Sequence, residues 1–361
     1  MNEPQKSSPS VDEWYKKIDE LVTRPIQLME VCGTHTVAIS RFGLRSRLPK
    51  QLKLLSGPGC PVCVTPTSVI DALIALCRLP NITIATFGDM LRVPGSVSSL
   101  QEERATGKQI LVTYSPLEAL DFAKAHPEHI VVFAGVGFET TLPVLAATII
   151  RAREQQLANF FVVMSGRLAP PAMMTLLESN DVRIDGFICP GHVSSVIGSK
   201  PYEPIASKYR VPCVITGFEA KDILEGVYLL VEQIEQQRAS VEIQYKRAVP
   251  EAGNPQALAA MERVFRVCDA AWRGIGLMPN SGMELNDEFS AFDALKRFGI
   301  TLPEANAMPT GCQCGEVMRG IKTPPECPLF GNGCTPARPV GPCMVSTEGS
   351  CAAYYRYGSG E

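Results

Sequence analysis

The sequence predicts an α/β fold in which two similar parallel-sheet units surround a cleft and a third, mainly helical and irregular region follows. Three observations carry this expectation. Short apolar runs rich in β-branched residues alternate with helix-periodic segments as far as residue 240, the pattern of parallel strands covered by helices. Val136-Gly-Phe-Glu139 and Thr216-Gly-Phe-Glu219 each follow an apolar run and open a helical one, an internal echo of two units built on one plan. From Val241 onward the rhythm changes to helical patches and then to a tail rich in proline, glycine and cysteine.

Taken in order, Val11 to Val22 carries spaced apolar residues (Trp14, Ile18, Leu21, Val22) and reads as an amphipathic lead-in helix. Ile26 to Val31 is a strand running straight into Cys32-Gly-Thr-His-Thr36. The apolar run Leu52 to Ser56 is a second strand, broken by Gly57-Pro-Gly-Cys-Pro-Val-Cys63. Thr67 or Ser68 caps a helix through Leu79, and the β-branched run Ile82 to Phe87 is the next strand, ending in Gly88-Asp-Met-Leu-Arg-Val-Pro-Gly95. A strand from Ile110 to Tyr114, a helix from Pro116 to Ala125 and a strand from Ile130 to Ala134 lead into Gly135-Val-Gly-Phe-Glu-Thr-Thr141. A helix near Pro143 to Gln155, a strand from Phe160 to Met164 and a helix near Pro171 to Ser179 continue the series. Strands at Gly186 to Cys189 and Cys213 to Thr216 precede a long helix from Glu219 to Arg238, and two further helical patches cover Pro255 to Ala271 and Glu288 to Phe298.

A chain of 361 residues suggests two or three domains, and 45% hydrophobic residues supply ample core. With 34 basic and 37 acidic residues, a net charge of −3 and no basic block, the chain has no electrostatic footprint for nucleic acid. The polar N-terminus lacks a signal peptide, and no run reaches the ~18 apolar residues of a membrane helix. A cytoplasmic location with no membrane association is the expectation. Thirteen cysteines in a reducing compartment then point to metal or redox chemistry rather than a disulfide framework.

Ligands of open parallel sheets bind beyond the carboxyl ends of the strands, so Cys32, His35, Cys60, Cys63, Asp89, Glu139, Cys189, His192 and Glu219 are candidates to line one cleft. The Cys60-Pro-Val-Cys63 turn suits a redox dithiol or a metal grip, with two half-buried thiols as the bland alternative. Cys32 beside the Thr-His-Thr turn suits a soft metal such as iron, or else is a structural thiol next to a satisfied histidine. His192 lies in a turn with few apolar neighbours and is read as functional. His126 and His129 read as solvent-facing, and Cys77, Cys213 and Cys268 as packing residues. Six cysteines lie between Cys312 and Cys351 in a loop with little capacity for a core of its own, which a metal centre orders more readily than packing does. Four thiolates satisfy a [4Fe–4S] cluster, with structural zinc as the competing reading. Cys314 and Cys343 are two more than four, so spacing alone does not select the quartet.

These stretches resemble one family closely: HypD, the iron–sulfur scaffold of [NiFe]-hydrogenase maturation. The matching residues are Cys32-Gly-Thr-His-Thr36, Gly57-Pro-Gly-Cys-Pro-Val-Cys63, Phe87-Gly-Asp-Met-Leu-Arg-Val-Pro-Gly95, Gly137-Phe-Glu-Thr-Thr141, Pro190-Gly-His-Val-Ser194, and the run from Cys312-Gln-Cys-Gly-Glu316 to Met344-Val-Ser-Thr-Glu-Gly-Ser-Cys351. They span nearly the whole chain. The resemblance implies a platform on which an Fe(CN)₂CO unit is assembled with a HypC-type chaperone and HypE. It implies that Cys32 holds the iron and that Cys60 and Cys63 are a redox-active dithiol. The family's cluster spacing falls on Cys312, Cys327, Cys334 and Cys351 as [4Fe–4S] ligands. His35 and His192 are then candidates to handle protons, and Thr34, Asp89, Arg92 and Glu139 to bind the cargo or a partner. The implied organisation is an N-terminal helix (1–25) packing on the third domain, α/β domains at 26–127 and 128–240, and a cluster domain at 241–361. Ala220 stands where the family carries proline. The alternative function is an iron–sulfur-dependent disulfide oxidoreductase acting on a protein substrate.

Overall fold

A computed structural model describes residues 9–179, 181–302 and 310–358. Its strands are β1 Ile26–Glu30, β2 Leu52–Ser56, β3 Ile82–Thr86, β4 Ile110–Val112, β5 Ile130–Gly137, β6 Phe160–Arg167, β7 Gly186–Pro190, β8 Cys213–Thr216, β9 Val241–Ile243, β10 Phe265–Trp272 and β11 Gly276–Leu285. They form two sheets. The first has the order β2-β1-β7-β8-β9 and is parallel throughout. The second has the order β10-β11-β6-β5-β3-β4, parallel from β6 to β4 and closed at the other edge by the antiparallel β10–β11 hairpin.

Near-continuous apolar strands are what a sheet buried on both faces requires, and β5 and β6 are buried along almost their whole length. Because side chains alternate, each strand serves two cores. Met29, Phe187, Cys189, Cys213 and Ile215 of the first sheet and Ile84, Val132, Ala134, Val136 and Val163 of the second share one central core. Ile26, Leu28, Ile188 and Val214 face outward onto helices Val11–Leu21 and Ala220–Glu235, and Val131, Phe133, Phe160 and Val162 face outward onto helices Leu142–Glu154 and Pro255–Val264.

The α/β class and parallel sheets hold, but sheet membership does not follow the contiguous ranges 26–127 and 128–240. The chain starts the first sheet with β1 and β2, builds β3 to β6 of the second, returns for β7 to β9, and ends with the β10–β11 hairpin on the second. The N-terminal helix packs on helix Ala220–Glu235 of the first sheet, with Trp14 and Tyr228 ring centroids 5.3 Å apart, rather than on the cysteine-rich region. Helix Pro255–Val264 stops short of the expected Ala271: Phe265 to Trp272 pairs with β11 as a strand, its alternation interrupted by a bulge between Cys268 and Ala270. Helix Ala220–Glu235 begins without the family's proline.

Beyond β5, Glu139 is almost completely buried. Its Oε1 accepts the Ala169 N–H at 2.9 Å, while Oε2 has no partner, and burial raises its carboxyl from 4.5 to about 7. Between those values the folded chain keeps a proton that the unfolded chain has lost, so stability falls as pH rises from about 4.5 to about 7 and the full penalty remains above that range. Its upper bound is about 3 kcal/mol. Glu139→Gln keeps the acceptor for Ala169 and is expected to remove this fall from the stability–pH profile, gaining about 1–3 kcal/mol at pH 8 by urea unfolding. An unchanged difference between variant and wild type across pH 4.5 to 8 would count against a buried, unpaired Glu139 carboxylate.

Candidate functional site

The first sheet delivers its motifs to one place. β1 ends at Glu30, and Cys32 in extended conformation is the N-cap of helix Gly33–Arg41. β2 ends at Ser56, and the following turn folds back so that the Gly33 N–H donates to Gly59 O at 3.0 Å and the Gly57 N–H to Glu30 O at 2.7 Å. A Cβ on Gly59 would overlap the backbone of Val31 and Cys32, so glycine is what allows the turn to lie directly on the Cys32 backbone. Cys60 caps helix Pro61–Val64, and its sulfur is bridged to Cys63 with their Cα atoms 5.3 Å apart.

Burial governs the chemistry around Cys32. Its thiol is pushed up to about 12, chiefly by loss of solvation, so an arriving cation has to displace a tightly held proton. Glu30, fully buried, accepts the Cys32 N–H at 3.0 Å and the Thr36 hydroxyl at 2.5 Å, and burial raises its carboxyl to about 7. His35 is also fully buried and is lowered to about 4, mainly by loss of solvation, and is therefore neutral. Its Nε2 lies 2.9 Å from both Gly217 O and Thr216 Oγ1, and since a carbonyl only accepts, Nε2 carries the proton. Nδ1 is left as a bare acceptor without a partner. Phe218 is stacked between the His35 ring at 4.6 Å and the exposed His192 ring at 4.0 Å, so the β1 and β7 motifs meet through the motif after β8.

The cysteine tail wedges between the two sheets. Its Glu348 accepts the Thr34 hydroxyl at 3.0 Å on the first sheet's side, and its Ser346 donates to Asp89 Oδ2 at 2.9 Å on the second's. Arg92 donates to Pro336 O and Val345 O at 3.1 and 3.2 Å. Asp89 and Arg92, expected as cargo or partner contacts, are thus engaged in holding the tail. Glu139 is likewise committed to Ala169.

Among the described residues, no three His, Cys, Asp or Glu side chains stand ready to hold a metal ion. The sulfurs nevertheless gather. Cys314 is within hydrogen-bond reach of both Cys312 and Cys343, an interaction that raises the thiols of those two partners. Cys334 accepts the Val340 N–H at 3.3 Å, a contact suited to a thiolate, and Cys351 lies near Cys343. Cys327, Cys334 and Cys351 are buried and Cys312 is half-buried. In donor chemistry, with soft sulfurs, a backbone N–H to sulfur and little competing water, the set suits iron–sulfur ligation. Cys314 and Cys343, undecided by spacing, interact with each other and with Cys312. Cys63 Sγ lies 3.8 Å from Pro342 O, next to Cys343, so the tail thiols adjoin the Cys60–Cys63 turn. Glu30, Phe218 and Glu348 belong to this site and were not singled out from the sequence; Glu348 lay in plain view inside the Thr-Glu-Gly-Ser-Cys run.

His126 and His129, expected to face solvent, are half-buried and pack with Phe122; Cys77 and Cys213 are buried packing residues as expected, whereas Cys268 is only half-buried. No helix among the described residues is long and apolar enough to cross a membrane.

Residues 10–358 match the family model HypD, described as "Hydrogenase formation hypA family". The chain is 46% identical over 343 residues to the hydrogenase maturation factor HypD of Rhizobium leguminosarum bv. viciae, covering 93% of this chain and 89% of that protein. It is 46% identical over 342 residues to the hydrogenase expression/formation protein HupD of Azotobacter chroococcum mcd 1 (93% and 90% covered), and 44% identical over 335 residues to HypD of Escherichia coli K12 (92% and 90%). With its motifs spread over both sheets and the tail, and with near-complete coverage in every comparison, the chain belongs to the HypD family of hydrogenase maturation factors.

Proposed function

We propose that this chain is the platform on which the Fe(CN)₂CO unit of a [NiFe] hydrogenase is assembled, in company with a HypC-type chaperone and HypE. The observation that carries the reading is the packing of three motifs on one thiol: Gly59 of the dithiol turn lies on the Cys32 backbone, and Glu348 of the tail grips Thr34 two residues on. Cys32 is the chain's thiolate for the iron cargo, with a chaperone cysteine as the second. Its proton, held tightly in the absence of cation, leaves when iron binds. Neutral His35 offers Nδ1 as a fixed acceptor, and Phe218 is stacked between that ring and His192.

Cys60 and Cys63 form the two-electron store beside the cargo. Reduction breaks their S–S bond, adds two electrons and two protons and leaves two thiols. Cys312, Cys327, Cys334 and Cys351 are the ligands for a [4Fe–4S] cluster, which when bound supplies single low-potential electrons. Cys343 interacts with Cys312 and Cys351 of that set, and its neighbour Pro342 brings the tail against Cys63.

Cys32→Ala, purified anaerobically with its chaperone from maturation-competent cells, is expected to lose the infrared cyanide and carbonyl bands; bands of wild-type intensity would refute the anchor. Cys60→Ser is expected to leave cluster iron and sulfide at wild-type content while lowering hydrogenase maturation by at least tenfold. Zinc in place of iron in anaerobic metal analysis would refute the cluster, and turnover of a generic disulfide protein without chaperone would favour the oxidoreductase alternative.

A further inference from the structure

We propose that the free edge of β9 is a docking site for an extended segment of a partner protein, one that alternates basic and apolar residues and adds to the first sheet as a further strand. β9 ends that sheet, with β8 as its neighbour. In the parallel pairing the Cys213 N–H donates to Ser240 O at 3.1 Å and the Gln244 N–H to Ile215 O at 2.9 Å. With Cys213 opposite Val241 and Ile215 opposite Ile243, the β9 residue that turns its N–H and C=O to β8 between those two bonds is Glu242. The N–H and C=O of Val241 and Ile243 therefore point away from the sheet. At the far edge, on β2, Arg45 Nε covers the outward Leu54 O with a bond of 3.3 Å. Along β9 the outward groups open instead into a groove of about 620 Å³.

The two walls of the groove differ in chemistry. Glu242 lies opposite Val214, which faces outward onto helix Ala220–Glu235, so Glu242 shares that side with Glu225 and Leu229 of the helix. Val241 and Ile243 face the central core, as does buried Val249. A strand laid on β9 continues the alternation, with one set of its side chains over carboxylates and the other over aliphatic groups. Glu242 is paired with Arg238 at 2.8 Å, whereas Glu225 takes its bond from a neutral amide, Gln244 Nε2 at 2.9 Å, and Glu251 stands exposed at the rim. Among the described residues lining the groove, Lys246 is the one amine. This excess of carboxylate favours lysine or arginine in the occupant, and it disfavours both an acidic segment and a second copy of β9, which would bring like charges together. Main-chain pairing supplies affinity and the alternate side-chain positions supply selectivity. The edge also connects to the cysteine cleft. Gln244 Oε1 accepts the Gly217 N–H at 3.0 Å and the Tyr245 ring meets Phe218 edge-on at 5.9 Å, in the same loop whose Gly217 O accepts from His35. A partner held on β9 is thus tethered beside the loop that positions His35.

The full-length chain is titrated into a labelled peptide alternating lysine and valine, followed by fluorescence anisotropy, with a peptide alternating glutamate and valine as comparison. The lysine peptide is expected to bind about tenfold more tightly than the glutamate peptide. Ile243→Pro deletes one outward N–H and no bond to β8, and is expected to weaken binding about tenfold. Equal affinity for the two peptides overturns the proposal, as does wild-type affinity in folded Ile243→Pro or no binding of the lysine peptide at about 1 mM. If the proline variant does not fold, the double variant Glu225→Lys, Glu251→Lys decides: a tenfold loss supports the proposal and unchanged affinity overturns it. Self-association of the wild-type chain that Ile243→Pro abolishes in sedimentation would give the edge to a second copy and overturn it too. The readout involves neither iron nor hydrogenase maturation, so failure here leaves the assembly reading standing.

Discussion

The hydrogen bond from the Gly33 N–H to Gly59 O, 3.0 Å long, is the contact on which the rest of the site depends. It joins two strand ends that are neighbours in the first sheet, β1 and β2, and it forms only because residue 59 has no side chain. Its effect is to place a bridged cysteine pair against the one buried thiol at the start of helix Gly33–Arg41. A single hydrogen bond of this kind contributes about 1 kcal/mol net to stability. Its larger role is geometric, since it sets the distance between the bridged Cys60–Cys63 pair and the buried Cys32 thiol.

The tail is the second constraint. Residues Pro342 to Cys351 have too few large apolar side chains to fold alone, yet they lie in the shared core because Asp89 and Arg92 hold them on one side and Thr34 on the other. The tail is thus tied to the strand-end motifs of both sheets rather than hung beside them.

Local features were legible in the sequence. Strands β3, β5, β6, β7 and β8 and the helices around them fall within a few residues of where the apolar periodicity put them, because those segments are buried in ways that force their composition. The strand-end motifs of the first sheet were legible for the same reason, since glycine and cysteine in short breaks have few purely structural uses. Sheet membership was not legible, because β2 to β3 and β6 to β7 look like any other crossover in sequence while in space they change sheets. The β10–β11 hairpin was missed because Val264 to Ala271 is as compatible with a helix as with a strand until its partner is known. Polar residues were hardest to place. Asp89, Arg92 and Glu139 carry the chemistry of a binding site; here Asp89 accepts the Ser346 hydroxyl, Arg92 donates to two backbone carbonyls of the tail and Glu139 accepts the Ala169 N–H.

The interleaved path of the chain has a consequence for how the protein comes into being. Neither sheet is encoded by a continuous stretch: β1 and β2 leave the ribosome first, but their neighbour β7 lies about 130 residues later in the chain, with most of the second sheet between. An early-emerging pair of strands with one open edge must wait, exposed, through the synthesis of another sheet. The lead-in helix Val11–Leu21 faces the same wait, because its platform, helix Ala220–Glu235, is made later still. Cys32, Cys60 and Cys63 are thus synthesised long before the tail that encloses them, and their thiols stay open to oxidation during that interval.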